Sequence, residues 1–134
     1  MNVRGGGDRR RVFSGSPFEE TVGFCRAVQV GDRIWLAGTA PIRPDGVVDE
    51  DVGEQARRCF EIISAALTEL GSGLHDVVRV RQYLVDVGDF DAVGAVHGEL
   101  FAGIRPVNTT VVVAGLLDPR WKVEIEVDAV ASSA

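Results

Sequence analysis

The chain has 134 residues, 46% hydrophobic and 25% charged, with a formal net charge of −6. That composition suits one globular domain able to bury most of its apolar surface, and it excludes both a disordered chain and a disulfide-stapled miniprotein. Residues 1–11 carry Arg4, Arg9, Arg10 and Arg11 against Asp8, a net of +3, so the remainder holds −9; such an acidic body repels phosphate backbones, and no nucleic acid is expected as a partner.

The first eleven residues, MNVRGGGDRRR, read as a disordered tail, with one domain over 12–134. They contain no apolar core of a secretory leader, and no run approaches the ~20 apolar residues that span a bilayer. A cytoplasmic protein with no membrane partner is expected. Cys25 and Cys59 read as two buried thiols.

Residues 11–21 read as a short edge strand or loop. Phe24–Val30 and Arg33–Ala37 are strand candidates around a Gly31-Asp32 hairpin turn. Asp51, with Glu54 three residues on, opens a helix whose apolar stripe is Val52, Ala56, Cys59, Phe60, Ile63, Leu67 and Leu70, and Gly71 stops it. Val77–Val85 is a β-branched strand with Arg79, Arg81 and Tyr83 on one face and Val78, Val80 and Leu84 on the other. Asp89 is placed to cap a second helix reaching about Phe101, within which Gly94 and Gly98 would allow close approach to a neighbour. Two strands finish the chain, Asn108–Ala114 and Lys122–Ala131, joined by a turn on Leu117-Asp118-Pro119-Arg120. The last alternates strictly, with Val123, Ile125, Val127 and Ala129 on one face and Lys122, Glu124, Glu126 and Asp128 on the other.

The predicted order is β-β-α-β-α-β-β, with a further N-terminal strand possible. Right-handed crossovers put both helices on one face of a single sheet. The other face stays open, carries Val112, Val28, Trp35 and Tyr83, and suggests oligomerisation with ligand clefts between protomers.

No His, Cys and Asp spacing fits a metal site, and neither a metal nor a cofactor is expected. His97 lies on a helix stripe and reads as a packing residue; His75 reads as surface. Arg79, Arg81, Arg105 and Arg120 either recognise a small carboxylate or pair with the many acids. Glu124 and Glu126 serve either as general base or as cross-strand partners of Arg79 and Arg81.

The succession GFCRAVQVGDRIWLAGTAPIRPDG, QARRCFEIISAALTELG, DVVRVRQYLVDVGDF and RPVNTTVVVAGLLDPRWKVEIEVDAVA resembles the Rid family of reactive-intermediate deaminases, RidA-like, over roughly Val22 to Ala131. The resemblance implies a chorismate-mutase-like α+β fold and a homotrimer with small-molecule clefts between subunits. It also implies cofactor-free hydrolysis of imines and enamines such as 2-aminoacrylate. It puts the water-positioning glutamate at Glu124 and the backbone-contact glycine at Gly38. The family's arginine falls on Asn108, its tyrosine on Phe24 and its helix asparagine on Gly94. Asn108 cannot form a charged bidentate clamp on a carboxylate. Two readings follow: a divergent hydrolase, with Glu124 as base and Asn108, Thr109 and Thr110 as hydrogen-bond donors, or a non-catalytic trimer binding a small metabolite. A ribonuclease is disfavoured by the acidic body and the absence of a His/Lys pair.

Overall fold

The computed structural model describes residues 1–132, so the last two residues of the expected domain lie outside the described residues. Its strands are β1 (Asn2–Gly6), β2 (Arg9–Phe13), β3 (Ala27–Val30), β4 (Arg33–Leu36), β5 (Val77–Leu84), β6 (Val107–Val112) and β7 (Val123–Val130). Two helices, α1 (Val52–Glu69) and α2 (Phe90–Phe101), complete the α+β fold. All seven strands join one sheet in the order β1-β2-β3-β4-β7-β5-β6. Only β5 and β6 run parallel, joined by the α2 crossover; the other pairs are antiparallel.

The core lies between the helices and one face of the sheet. On β7, Val123, Ile125, Val127 and Ala129 are at most 2% exposed and meet the α1 stripe of Ala56, Cys59, Phe60, Ile63 and Leu67. From α2, Val93, Val96 and Phe101 close the same layer. The opposite face is open, with Trp35 and Val111 among its exposed apolar side chains; Val112, expected there, is in register with Leu84 and so belongs to the helix side.

The expected tail is not a tail. Residues 2–13 form a hairpin that turns through Gly7 (φ 62°), and β2 then pairs with β3. Val12, fully buried, anchors it, and the Arg4 guanidinium lies 4.3 Å from the Phe13 ring centre. An open edge on β3 gave the arginine-rich segment backbone partners that its composition does not advertise. Of the stretch read as a short edge strand or loop, residues 11–13 belong to β2, and a single π turn follows at Glu19–Gly23.

The first helix starts as expected, with the Asp51 carboxylate accepting the Glu54 N–H at 2.9 Å. The second also starts after Asp89, but that side chain makes no capping bond; Asp86 instead accepts from Gly88 N at 2.8 Å in the turn before it. No atom of this chain outside their own helix lies within 4 Å of a Cβ built on Gly94 or Gly98, so the expected close approach is absent here. A bulge between Val77 and Arg79 turns Val78 to solvent instead of the core. Cys59 is buried, whereas Cys25 is only half-buried. His97 packs with Phe60 and Phe101, and His75 is exposed beside Asp76.

Gln55, on α1 and fully buried, fixes the entry to β7. Its Nε2 donates to Asp49 O (2.7 Å) and Arg120 O (3.0 Å), and its Oε1 accepts from Lys122 N (2.8 Å). Gln55→Leu keeps the volume and orphans those backbone groups, so urea unfolding should show a loss of about 2–3 kcal/mol. A loss below about 0.5 kcal/mol would show that water replaces them.

Candidate functional site

The acidic face of β7 resolves into three different environments. Asp128 is taken by arginine: its Oδ2 lies 3.6 Å from Arg79 Nε and 3.7 Å from Arg81 Nη1. Glu126 accepts a short hydrogen bond from the Tyr83 hydroxyl. Glu124 pairs with neither Arg79 nor Arg81, and among the described residues no side chain donates a hydrogen bond to it. The cross-strand alternative for Glu124 is therefore not what the register produces.

What surrounds Glu124 instead comes from the strand end beyond β4. Thr39 exchanges two backbone bonds with Ile125 (2.7 and 3.0 Å), which lays Gly38 over the Glu124 side chain. A Cβ built on Gly38 would lie 2.7 Å from Glu124 Oε2, so the absence of a side chain there is what makes room for the carboxylate. The Gly38 carbonyl in turn accepts from Arg26 Nη2 at 2.7 Å. Arg26 continues the β3 ladder, its N–H bonded to Val12 O and its carbonyl to Ala37 N. Burial pushes the Glu124 carboxyl up from its ordinary range, Arg26 pulls it back, and Glu126 adds to the rise.

The remaining expected residues fall elsewhere. Asn108 and Thr110 sit on edge strand β6 in register with Val80 and Gln82, on the helix side of the sheet. They form a chain of hydrogen bonds, Gln82 Nε2 to Thr110 Oγ1 (3.1 Å) and Thr110 Oγ1 to Asn108 Oδ1 (2.9 Å). Thr109 is in register with Arg81 and belongs to the open face, so the three donors do not act together. Glu124 is in register with Tyr83, on the open face and two strands away. Strand geometry separates the Asn108 and Glu124 Cα atoms by roughly 14 Å. Phe24 is exposed and ends the π turn two residues before Arg26, and Gly94 lies on α2. The structure thus unites Glu124 with Gly38, and Asn108 with Thr110, as two separate half-sites.

Arg26 and Gln82 are the polar residues that sequence reasoning missed. Arg26 reaches the site through a backbone carbonyl twelve positions away, and no spacing rule signals such a bond. Gln82 is hidden within a β-branched run.

Residues 16–131 match the family described as endoribonuclease L-PSP. The chain belongs to this family. An uncharacterized protein of Streptomyces coelicolor is 46% identical over 121 residues, covering 90% of each chain. The crystal structure of a YjgF/YER057c/UK114 family member from Mycobacterium tuberculosis superimposes with a TM-score of 0.86 at 41% identity, covering 92% of this chain and 99% of that one. A 2-iminobutanoate/2-iminopropanoate deaminase of Dermatophagoides farinae is 30% identical over 120 residues, 87% of this chain and 93% of its own. The likeness to Rid proteins read from the sequence holds. No helix is long and apolar enough to cross a membrane, and no cluster of metal-ligating side chains occurs, among the described residues.

A carboxylate whose folded value is raised opposes folding once pH exceeds its unfolded value, because burial favours the protonated form. Glu124→Gln should therefore raise Tm at pH 7, with the gain shrinking as pH falls below about 4. A substitution that lowers Tm at pH 7 would show that Glu124 is a structural partner. Gly38→Ala should change Tm little, since only the end of a flexible side chain is in the way.

Proposed function

We propose that this protein is a RidA-like homotrimer with a small-molecule cleft between subunits, acting as a cofactor-independent hydrolase of imine- or enamine-type metabolites in the cytoplasm. The observation that carries this reading is Glu124, a half-buried carboxylate beside Gly38 that Arg79, Arg81 and Tyr83 leave unpaired. A group of this kind can take a proton from water as the water adds to the C=N carbon and pass it to the nitrogen, forming a carbinolamine. It then takes the carbinolamine hydroxyl proton and delivers it to nitrogen as the C–N bond breaks, releasing ammonia and a carbonyl product. A carboxyl raised toward the working pH is suited to both steps.

Two features support the trimer. Exposed Trp35 and Val111 on the open face need cover. The half-sites of Glu124 and of Asn108 are separated within one chain, and a cleft built from two copies would bring one half of each together. The deaminase from Dermatophagoides farinae supports the class of chemistry.

Substrate choice is expected to differ from the carboxylate-binding deaminases. Asn108 offers a neutral amide where the Rid pattern has arginine, which favours a neutral or amide-like substrate over 2-aminoacrylate. Losing a desolvated charge pair costs about 3 kcal/mol or more, roughly 100-fold in rate. Purified protein supplied with imines generated from simple amino acids should release ammonia at least about 100-fold more slowly than a relative with arginine at that position. Equal rates would overturn the substrate assignment. With neutral imines, Glu124→Gln should abolish hydrolysis; a binding trimer without catalysis would hydrolyse none of these compounds before or after substitution.

A further inference from the structure

Arg26 has no role in the reading above, yet its placement is too constrained to be incidental. Of its five N–H donors, only one, on Nη2, has an acceptor among the described residues, the Gly38 carbonyl at 2.7 Å. Its Nε is buried without a partner. Leaving a buried donor unmade is costly, so an arginine tolerated in this state calls for a compensating interaction. Two acids supply opposing charge, Glu19 most strongly and then Glu124, which lies across Gly38. The same glycine that binds the guanidinium through its carbonyl faces Glu124 through its Cα. Glu19 keeps its charge but has its oxygens occupied by the Ser14 backbone and hydroxyl, which fixes it in the structure. Glu124 accepts no side-chain hydrogen bond among the described residues, so its oxygens stay open to water.

We propose that Arg26 is a positioning residue of the site: locked onto the Gly38 carbonyl, it sets a positive charge beside Glu124 and keeps that side chain an open carboxylate, ready to accept the proton of the attacking water. The proposal rests on Glu124 being the working group, and it adds how a desolvated carboxylate remains ionised. The groups near Glu124 are Glu126 on its own strand, Tyr83 and Arg81 on β5, and Arg26 from the ladder before β3, while Cys59 on α1 feels its charge from the other side of the sheet. Of the two cations, Arg81 is drawn to Asp128. The Tyr83 proton is committed to Glu126, and burial holds the Cys59 thiol protonated. Arg26 is thus the cation left to act on Glu124, and burial weakens Arg26 itself while Glu19 and Glu124 restore it, the reciprocal half of the same coupling.

The test needs no substrate. In full-length protein with ¹³C-labelled glutamate carboxyls and ¹⁵N-labelled arginine, Glu124 is titrated by NMR, with Glu124→Gln identifying its signal. In unmodified protein the Arg26 Nε resonance should move with the same midpoint as Glu124, and that movement should vanish in Glu124→Gln. Arg26→Gln should raise the proton affinity of Glu124 by about tenfold or more. Arg26→Lys, which keeps the charge, should recover part of that change. A flat Arg26 signal through the Glu124 transition, or an unchanged Glu124 midpoint in folded Arg26→Gln, would overturn the proposal. If Arg26→Gln does not fold, the coupled titration in unmodified protein still decides. The hydrolase reading fails separately: coupled titration without turnover of any imine would remove the reaction and leave the Arg26–Glu124 pair standing.

Discussion

The alternation of β7 is the constraint on which the rest of the structure depends. Four small or branched side chains, Val123, Ile125, Val127 and Ala129, are removed from water against α1 and β5, and a slip of one residue would bury Glu124, Glu126 and Asp128 in their place. The cost of burying unpaired carboxylates makes that alternative inaccessible. Register is therefore fixed by the apolar face, and it dictates the neighbours of each acid on the other face. Asp128 meets two arginines and Glu126 meets Tyr83, while Glu124, at the end where Thr39 joins the sheet, meets Gly38. A single packing requirement thus sorts three chemically similar side chains into two structural partners and one free group.

The site follows from how the β4 end is closed. Backbone exchange between Thr39 and Ile125 brings Gly38 over β7, and the missing side chain there lets the carboxylate lie directly beneath it. Arg26 then reaches the same carbonyl from the strand before β3. Burial and a nearby cation act in opposite directions on Glu124. That balance is what general acid–base work requires, because a group held too firmly in either protonation state cannot both accept and return a proton.

Much of the fold was legible from periodicity. The α1 stripe, its Asp51 cap, the β3–β4 turn at Gly31-Asp32 and the β7 alternation are local patterns enforced by one buried face. The N-terminal hairpin was not legible, since its glycines and arginines signal disorder and its stability derives from the β3 edge, a tertiary feature. The bounds of α2 were legible, with Asp89 at its N-cap, but the capping bond was not, because the side-chain bond at this end belongs to Asp86 in the preceding turn. At the site, Glu124 and Gly38 were reached through family resemblance, and their contact only through the fold. Arg26 could not be read at all: its partner is a main-chain oxygen, and its influence on Glu124 acts through space.

The division of the polar residues into two half-sites makes the proposed function depend on the proposed assembly. Asn108 and Thr110 lie on the helix side of edge strand β6, bonded through Gln82, while Glu124 lies on the open face two strands away. Neither half alone surrounds a ligand. A crystal structure of the assembled protein tests this most directly. The expected result is three copies packed with the open face of one against the β6 edge of the next, with Glu124, Gly38 and Arg26 of one copy facing Asn108 and Thr110 of the next across a solvent-filled cleft. Copies that meet elsewhere, leaving Glu124 and Asn108 in separate surroundings, would contradict it.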